Sequence, residues 1–164
     1  MSSAGINLPH QQTKVNVFGP STVSSANART VCLKDAKAVE VLITALNTTG
    51  VTGTAVTLNQ CTAVNAAGAK ALGFTEYYTN TDPANTSVFT RANASSNTFT
   101  TATTNNATLT YRIPIDPATL DLANSFNCLQ VGLANATNTT VAVVVTIVPK
   151  HSGNVAAQTN VMSN

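Results

Sequence analysis

At 164 residues, with a formal net charge of +2 and only 9% charged against 43% hydrophobic residues, the chain fits one domain. Such a domain buries roughly 70% of its unfolded surface and needs no disulfide framework. Its eight Lys and Arg, scattered from Lys14 to Lys150, form no basic stripe, which argues against direct nucleic-acid binding.

Threonine and asparagine stand where charges ordinarily would, at 28 and 19 residues. Threonine is β-branched and suits a pleated, half-buried surface, while asparagine tolerates turn conformations, so together they read as many short strands joined by polar turns. An average soluble domain carries about 25% charge, and a chain this far below it lacks the usual solubility margin and is expected to live inside an assembly.

In chain order, residues 1–27 hold Pro9, Gly19, Pro20 and a Ser/Ala/Asn run, with Val15, Val17 and Phe18 as the one concentrated apolar group. They read equally as an extended arm that lies on a neighbour, anchored by that trio, or as a disordered tail. Met1 to Pro9 lacks a basic start followed by an apolar run, so no secretory signal is read and the chain is expected to stay in the cytosol that made it. Strands are expected from Arg29 to Leu33 and from Ala38 to Ala45, where Val39, Val41 and Ile43 share a face. Thr54 to Ala63 alternates next, with Ala69 to Tyr78 as its expected partner. Asp82-Pro83-Ala84-Asn85 marks a turn, and Ser87 to Arg91 and Asn97 to Thr103 read as shorter strands.

From Ala107 to Asp116, Leu109, Tyr111, Ile113 and Ile115 alternate with polar residues and Pro114. Proline cannot donate to a ladder, so this strand lies at an edge or ends there. Asp116 to Leu122 reads as a short helix or turn between two sheets, with Leu120 and Leu122 inward. Phe126 to Leu133 and Thr140 to Val148 then form an apolar pair around the turn Asn135 to Thr139, closed by Pro149. The run Val141 to Val148, eight residues, is a buried strand, well short of the roughly 20 that cross a bilayer, so no membrane partner is expected. Eight or nine strands at this spacing imply an all-β sandwich over 28–151, between the arm of 1–27 and a flexible tail of 152–164.

Little points to chemistry. The two histidines, His10 and His151, have no metal-ligand spacing around them. The serines sit in loops without nucleophile-elbow glycines, and no glycine pattern makes a phosphate loop. Asp116 and Asp121 read as caps of one turn rather than as a carboxylate pair or a calcium site. Phe74, Tyr77, Tyr78 and Phe89 could stack on a sugar but read as core. Cys32, Cys61 and Cys128 read as reduced core residues. No catalytic, metal or cofactor-binding residue is assigned, and no enzyme activity is expected.

The stretch Leu109-Thr-Tyr-Arg-Ile-Pro-Ile-Asp116, followed by Pro117 to Phe126 and two apolar strands, resembles the small capsid cement or decoration proteins of tailed bacteriophages. The likeness spans roughly residues 36–151 and leaves 1–27 outside. It implies a β-sandwich, often a jelly roll, that binds the major capsid protein at subunit junctions on the capsid exterior, commonly as a homotrimer, in a virion assembled in the bacterial cytoplasm. On that reading the arm is the clamp, and deletion of 1–27 leaves the sandwich folded but weakens attachment. The alternatives are a major shell or tail-tube subunit, a glycan-binding fibre or adhesin domain and, last, a hydrolase.

Overall fold

The computed structural model describes residues 12–23, 27–94 and 96–150. The first eleven residues of the expected arm and the expected tail of 152–164 lie outside the described residues. The chain is all-β, with two antiparallel sheets packed as a sandwich around one core. The six-stranded sheet runs β1 (Thr13–Thr22), β11 (Thr139–Pro149), β3 (Ala36–Asn47), β9 (Thr108–Ile115), β6 (Glu76–Asn80), β7 (Thr90–Asn93). The facing sheet runs β2 (Asn27–Cys32), β10 (Cys128–Leu133), β4 (Ala55–Cys61), whose far side takes both β5 (Lys70–Ala71) and β8 (Thr98–Thr100).

Period-two alternation builds the core. On β11, β3 and β9 the inward residues stand in four rows: Val141, Ala45 and Leu109; Val143, Ile43 and Tyr111; Val145, Val41 and Ile113; Ile147, Val39 and Ile115. Each of these twelve is at most 5% exposed. Val31, Leu33, Val56, Leu58, Leu129, Val131 and Leu133 meet them from the other sheet. Aliphatic burial at about 25 cal/mol per Å² makes this slab the main source of stability.

The expected arm is corrected. Thr13–Thr22 is an edge strand paired along β11, and Val15, Val17 and Phe18 are 8%, 1% and 5% exposed within the core. The register slips between Asn16 and Phe18, so Asn16 lies opposite Val144 and Phe18 opposite Val143. The extra residue lets Val17 and Phe18 both face inward, which a regular strand forbids. Alternation is lost at that point, and the segment reads as irregular. The sandwich therefore starts at Thr13 rather than at residue 28, and deletion of 1–27 removes a strand and part of the core.

The last two strands do not form a hairpin; β10 and β11 lie in different sheets, and the Asn135 to Asn138 connection crosses between them. Ala136 is buried there, its N–H donating to Val23 O at 2.8 Å, and Asn138 takes φ 57°. The span 69–78 also divides, since only Lys70–Ala71 joins β4 while Glu76–Asn80 crosses to the other sheet. Pro114 meets its expectation locally: β6 pairs with β9 only over Thr110 to Arg112, so the proline lies where that side of the ladder has ended. Two 3-10 turns, Pro117–Thr119 and Leu122–Asn124, link the sheets; Leu120 is buried, but Leu122, expected inward, is 53% exposed.

Buried polar side chains tie the loops at one end. Asn47 Nδ2 donates to the carbonyls of Ala102 and Thr104 at 3.0 and 3.1 Å, and its Oδ1 accepts from Thr139 Oγ1 at 2.9 Å. Thr54 Oγ1 donates to Ala134 O at 2.6 Å, and Thr54 N donates to Thr101 Oγ1 at 3.0 Å.

Two results are expected in urea unfolding. Val17→Ala costs about 1–3 kcal/mol, while Lys14→Ala on the same strand changes stability by less than about 0.5 kcal/mol. A neutral Val17→Ala would restore the arm reading. Asn47→Ala costs about 1–3 kcal/mol, because it strips partners from loop carbonyls and from Thr139; no loss would mean those groups find water.

Candidate interaction surface

The other half of each alternating strand makes the outer face of the six-stranded sheet. There Val144, Leu42 and Arg112 share a row, Ala142, Thr44 and Thr110 the next, and Thr140, Leu46 and Thr108 the one beyond. Leu46 is 51% exposed, and Leu42, Thr44, Ala142 and Val144 are half-buried. Apart from the Arg112–Glu40 pair, this surface from β11 to β9 is aliphatic side chain and threonine hydroxyl. The buried-strand reading of 141–148 holds for one face only. Its continuous apolarity was the available signal, because a strand with a single wetted face ordinarily carries polar residues at Ala142, Val144 and Val148.

Most charge on this face is paired, with Lys14 exposed on the flanking β1. Arg112 donates from Nη2 and Nε to Glu40 Oε2 at 2.5 and 3.0 Å, and its guanidinium lies 5.2 Å over the Phe89 ring. Arg91 pairs with Glu76 at 2.5 Å, and Glu76 accepts from the Tyr78 hydroxyl at 3.2 Å. Two arginines and two glutamates thus cancel in two pairs that run from β7 to β3. These exposed pairs contribute little stability, and their effect is to leave the neighbouring face electrically quiet.

Three of the four edges are poor templates for strand addition. β1 carries two register slips and Pro20, β7 has four residues, and the far side of β4 is covered by pieces of two and three, whereas β2 pairs on β10 over six residues without a slip. Short, bulged edges blunt edge-to-edge pairing.

Other candidate groups have structural work. Tyr77 stacks on Phe99 at 4.3 Å, Phe99 lies 5.2 Å from Tyr111, and Phe74 meets Phe99 edge-on at 6.3 Å. Phe74, Phe99 and Tyr111 are buried and Tyr77 packs on them, so Phe74 and Tyr77 belong to the core as expected, whereas Tyr78 and Phe89 are half-buried outside it beside Arg112. Asp116 Oδ1 accepts from Ala118 N at 2.9 Å as a cap. Asp121 pairs with Lys70 and accepts from Asn124 at 2.9 Å; the lysine, then the asparagine, hold its carboxyl below the usual range. Both histidines lie outside the described residues. Among the described residues no group of three or more His, Cys, Asp or Glu is arranged to hold a metal ion, and no helix is long and apolar enough to cross a membrane. A cleft of about 350 Å³ opens at one end of the sandwich, between Leu33, Lys37, Asp116, Leu120 and Lys150. The trio expected to anchor a partner, Val15, Val17 and Phe18, is turned into the core.

Fold and surface define an all-β sandwich protein with one broad outer sheet face on which most charges are paired. No protein-family model matches the chain, and no curated protein does. Among solved structures the SPBc2 prophage-derived protein YomS is similar, with a TM-score of 0.44 and 11% identity over 84% of this chain and 92% of that one.

Burial raises the Tyr111 phenol above its ordinary value, against the smaller opposing effect of the Ala102 N–H that donates to its oxygen at 2.8 Å. A raised folded-state value means that its contribution is whole below about pH 10 and is lost as pH rises through the folded value. Urea unfolding is therefore expected to show stability falling above about pH 10. Tyr111→Phe should reduce that alkaline loss while costing about 1–3 kcal/mol near neutrality, where the Ala102 N–H loses its acceptor. An unchanged alkaline limb in the variant would assign the loss elsewhere.

Proposed function

We propose that this chain is a non-enzymatic phage virion protein of the cement or decoration kind. It binds the major capsid protein at subunit junctions on the outside of the shell, through the outer face of its six-stranded sheet. The observation that carries the reading is that face: half-exposed aliphatic and threonine side chains on three long strands, with Arg112 and Glu40 among them paired to each other and Lys14 exposed on the flanking β1. Such a surface gains contact area without burying unpaired ions, and modest contacts repeated over a shell add up through multivalency.

The strand order supports the same reading. Along β1, β2, β3 and β4, and again along β9, β10 and β11, the chain alternates between the sheets, with orders β1-β11-β3-β9 and β2-β10-β4-β5. That order agrees with the winding of a jelly roll, a fold that recurs in capsid proteins and also in lectin domains and cupins. The β6–β7 hairpin widens one sheet of it. The resemblance of Leu109 to Asp116 to cement proteins points the same way. On this reading the working form is a homo-oligomer, commonly a trimer, on a virion exterior.

The test is capture by phage capsids that lack the protein, read as bound mass by light scattering and sedimentation. Wild-type chain is expected to bind stoichiometrically. Leu42→Asp combined with Val144→Asp should lower apparent affinity at least about tenfold, or 1.4 kcal/mol, and, because the two positions are directly opposed, should also lower the urea midpoint while the transition stays cooperative. Unaltered capture by the double variant would remove the face from the interface. Closed shells or tubes formed by the chain alone would favour a major structural subunit, and saturable sugar binding a fibre or adhesin domain.

A further inference from the structure

Three cysteines stand in one row across the outer face of the five-stranded sheet. Cys128 on β10 is the register partner of Cys32 on β2 and of Cys61 on β4, and all three are free thiols. Their positions alternate with the inward Val31, Leu58 and Leu129, so they lie on the side of the sheet away from the core. The row is straight, with Cys128 in the middle. That arrangement sets thiols side by side in pairs rather than around a point.

The two neighbours of Cys128 are not equivalent. Leu33 N donates to Asn127 O at 2.8 Å, so residues 33 and 127 form a hydrogen-bonded pair. Cys32 and Cys128, one step along, are then a non-hydrogen-bonded pair. On the other flank Ala134 N donates to Ala55 O at 2.9 Å, and the unbroken register from there makes Cys128 and Cys61 a hydrogen-bonded pair. Non-hydrogen-bonded partners have Cα atoms about 4.5 Å apart against about 5.5 Å, and their side chains are closer. Both separations fall within the disulfide range, but the Cys32–Cys128 register brings the sulfurs nearer.

Exposure separates the roles further. Cys32 ends an edge strand and is partly exposed, whereas Cys128 and Cys61 are 2% and 0% exposed. The adjacent Cys128 thiol, against burial and with the backbone and charge of Lys34, favours the thiolate at Cys32. The Cys128 thiol itself donates to Asn127 Oδ1 at 3.2 Å; the neighbouring Cys32, then burial, hold it protonated, and burial does so for Cys61. A thiolate that meets solvent attacks first, and the buried partner follows.

We propose that Cys32 and Cys128 form a dithiol site that a small-molecule disulfide converts to a cross-strand disulfide, leaving Cys61 as a free thiol. The Cys32 thiolate attacks one sulfur of the small disulfide, forming a mixed disulfide and expelling one thiolate. Cys128 then gives up its proton to solvent and attacks Cys32 Sγ, expelling the second. Two protein thiols are oxidised, and one small disulfide is reduced to two thiols. The bond ties edge strand β2 to β10 and is reversed by excess small thiol.

The test treats the folded full-length chain with oxidised glutathione, alkylates the remaining thiols under denaturing conditions, and maps the products by peptide mass spectrometry. The expected result is loss of two of the three free thiols, a Cys32–Cys128 linkage and alkylation at Cys61. Cys61→Ala should leave that linkage intact, and Cys128→Ala should stop at glutathione held on Cys32. Three alkylated cysteines, a linkage through Cys61, or a wild-type product that stays as the mixed disulfide would each overturn the proposal. The wild-type map decides the matter even where a variant fails to fold.

Discussion

The register of β3 between β11 and β9 is the constraint on which the rest of the molecule depends. β3 pairs from end to end with β11 and over eight residues with β9, and these pairings put twelve inward side chains into four closed rows. A slip of one residue on any of the three strands would turn its apolar set to solvent and its threonines to the core, so the alignment is strongly specified. Everything else is added to this slab: β1 along β11, the β6–β7 hairpin along β9, and the second sheet across the core.

Strands that alternate cleanly were legible in the sequence, and those interrupted by tertiary demands were not. Val39, Val41 and Ile43, or Leu109 through Ile115, announce their face and their period. Val17 and Phe18 face the same way only because a bulge inserts a residue between paired positions, and such a bulge leaves no periodic trace. The division of 69–78 and the separation of β10 from β11 depend on which sheet each strand joins. That choice is made by contacts far away in the chain, and local pattern cannot report it. The candidate surface was half visible: Val141 to Val148 is apolar at every position but Thr146, which shows that both faces avoid charge without saying which one is covered.

Threonine and asparagine have two employments here. On the outer face of the larger sheet, threonines alternate with aliphatic residues and keep the surface neutral. At the loop end, Asn47, Thr54, Thr101 and Thr139 are buried and take up backbone groups of crossing segments, work done in other proteins by ordered water or longer polar side chains. Part of the unusual composition thus serves the sandwich itself, since a fold with this many crossings between sheets has many loop carbonyls to satisfy.

The pairing of Thr13 with Ile147 sets the beginning of the first strand beside the end of the last, at one corner of one sheet. The order in which the chain visits the strands is therefore partly arbitrary. A short connection across that corner, with a new opening in the exposed turn around Asp82 to Asn85, would give a permuted chain with the same rows, edges and outer face. The architecture belongs to the lattice of side chains more than to the path that threads it.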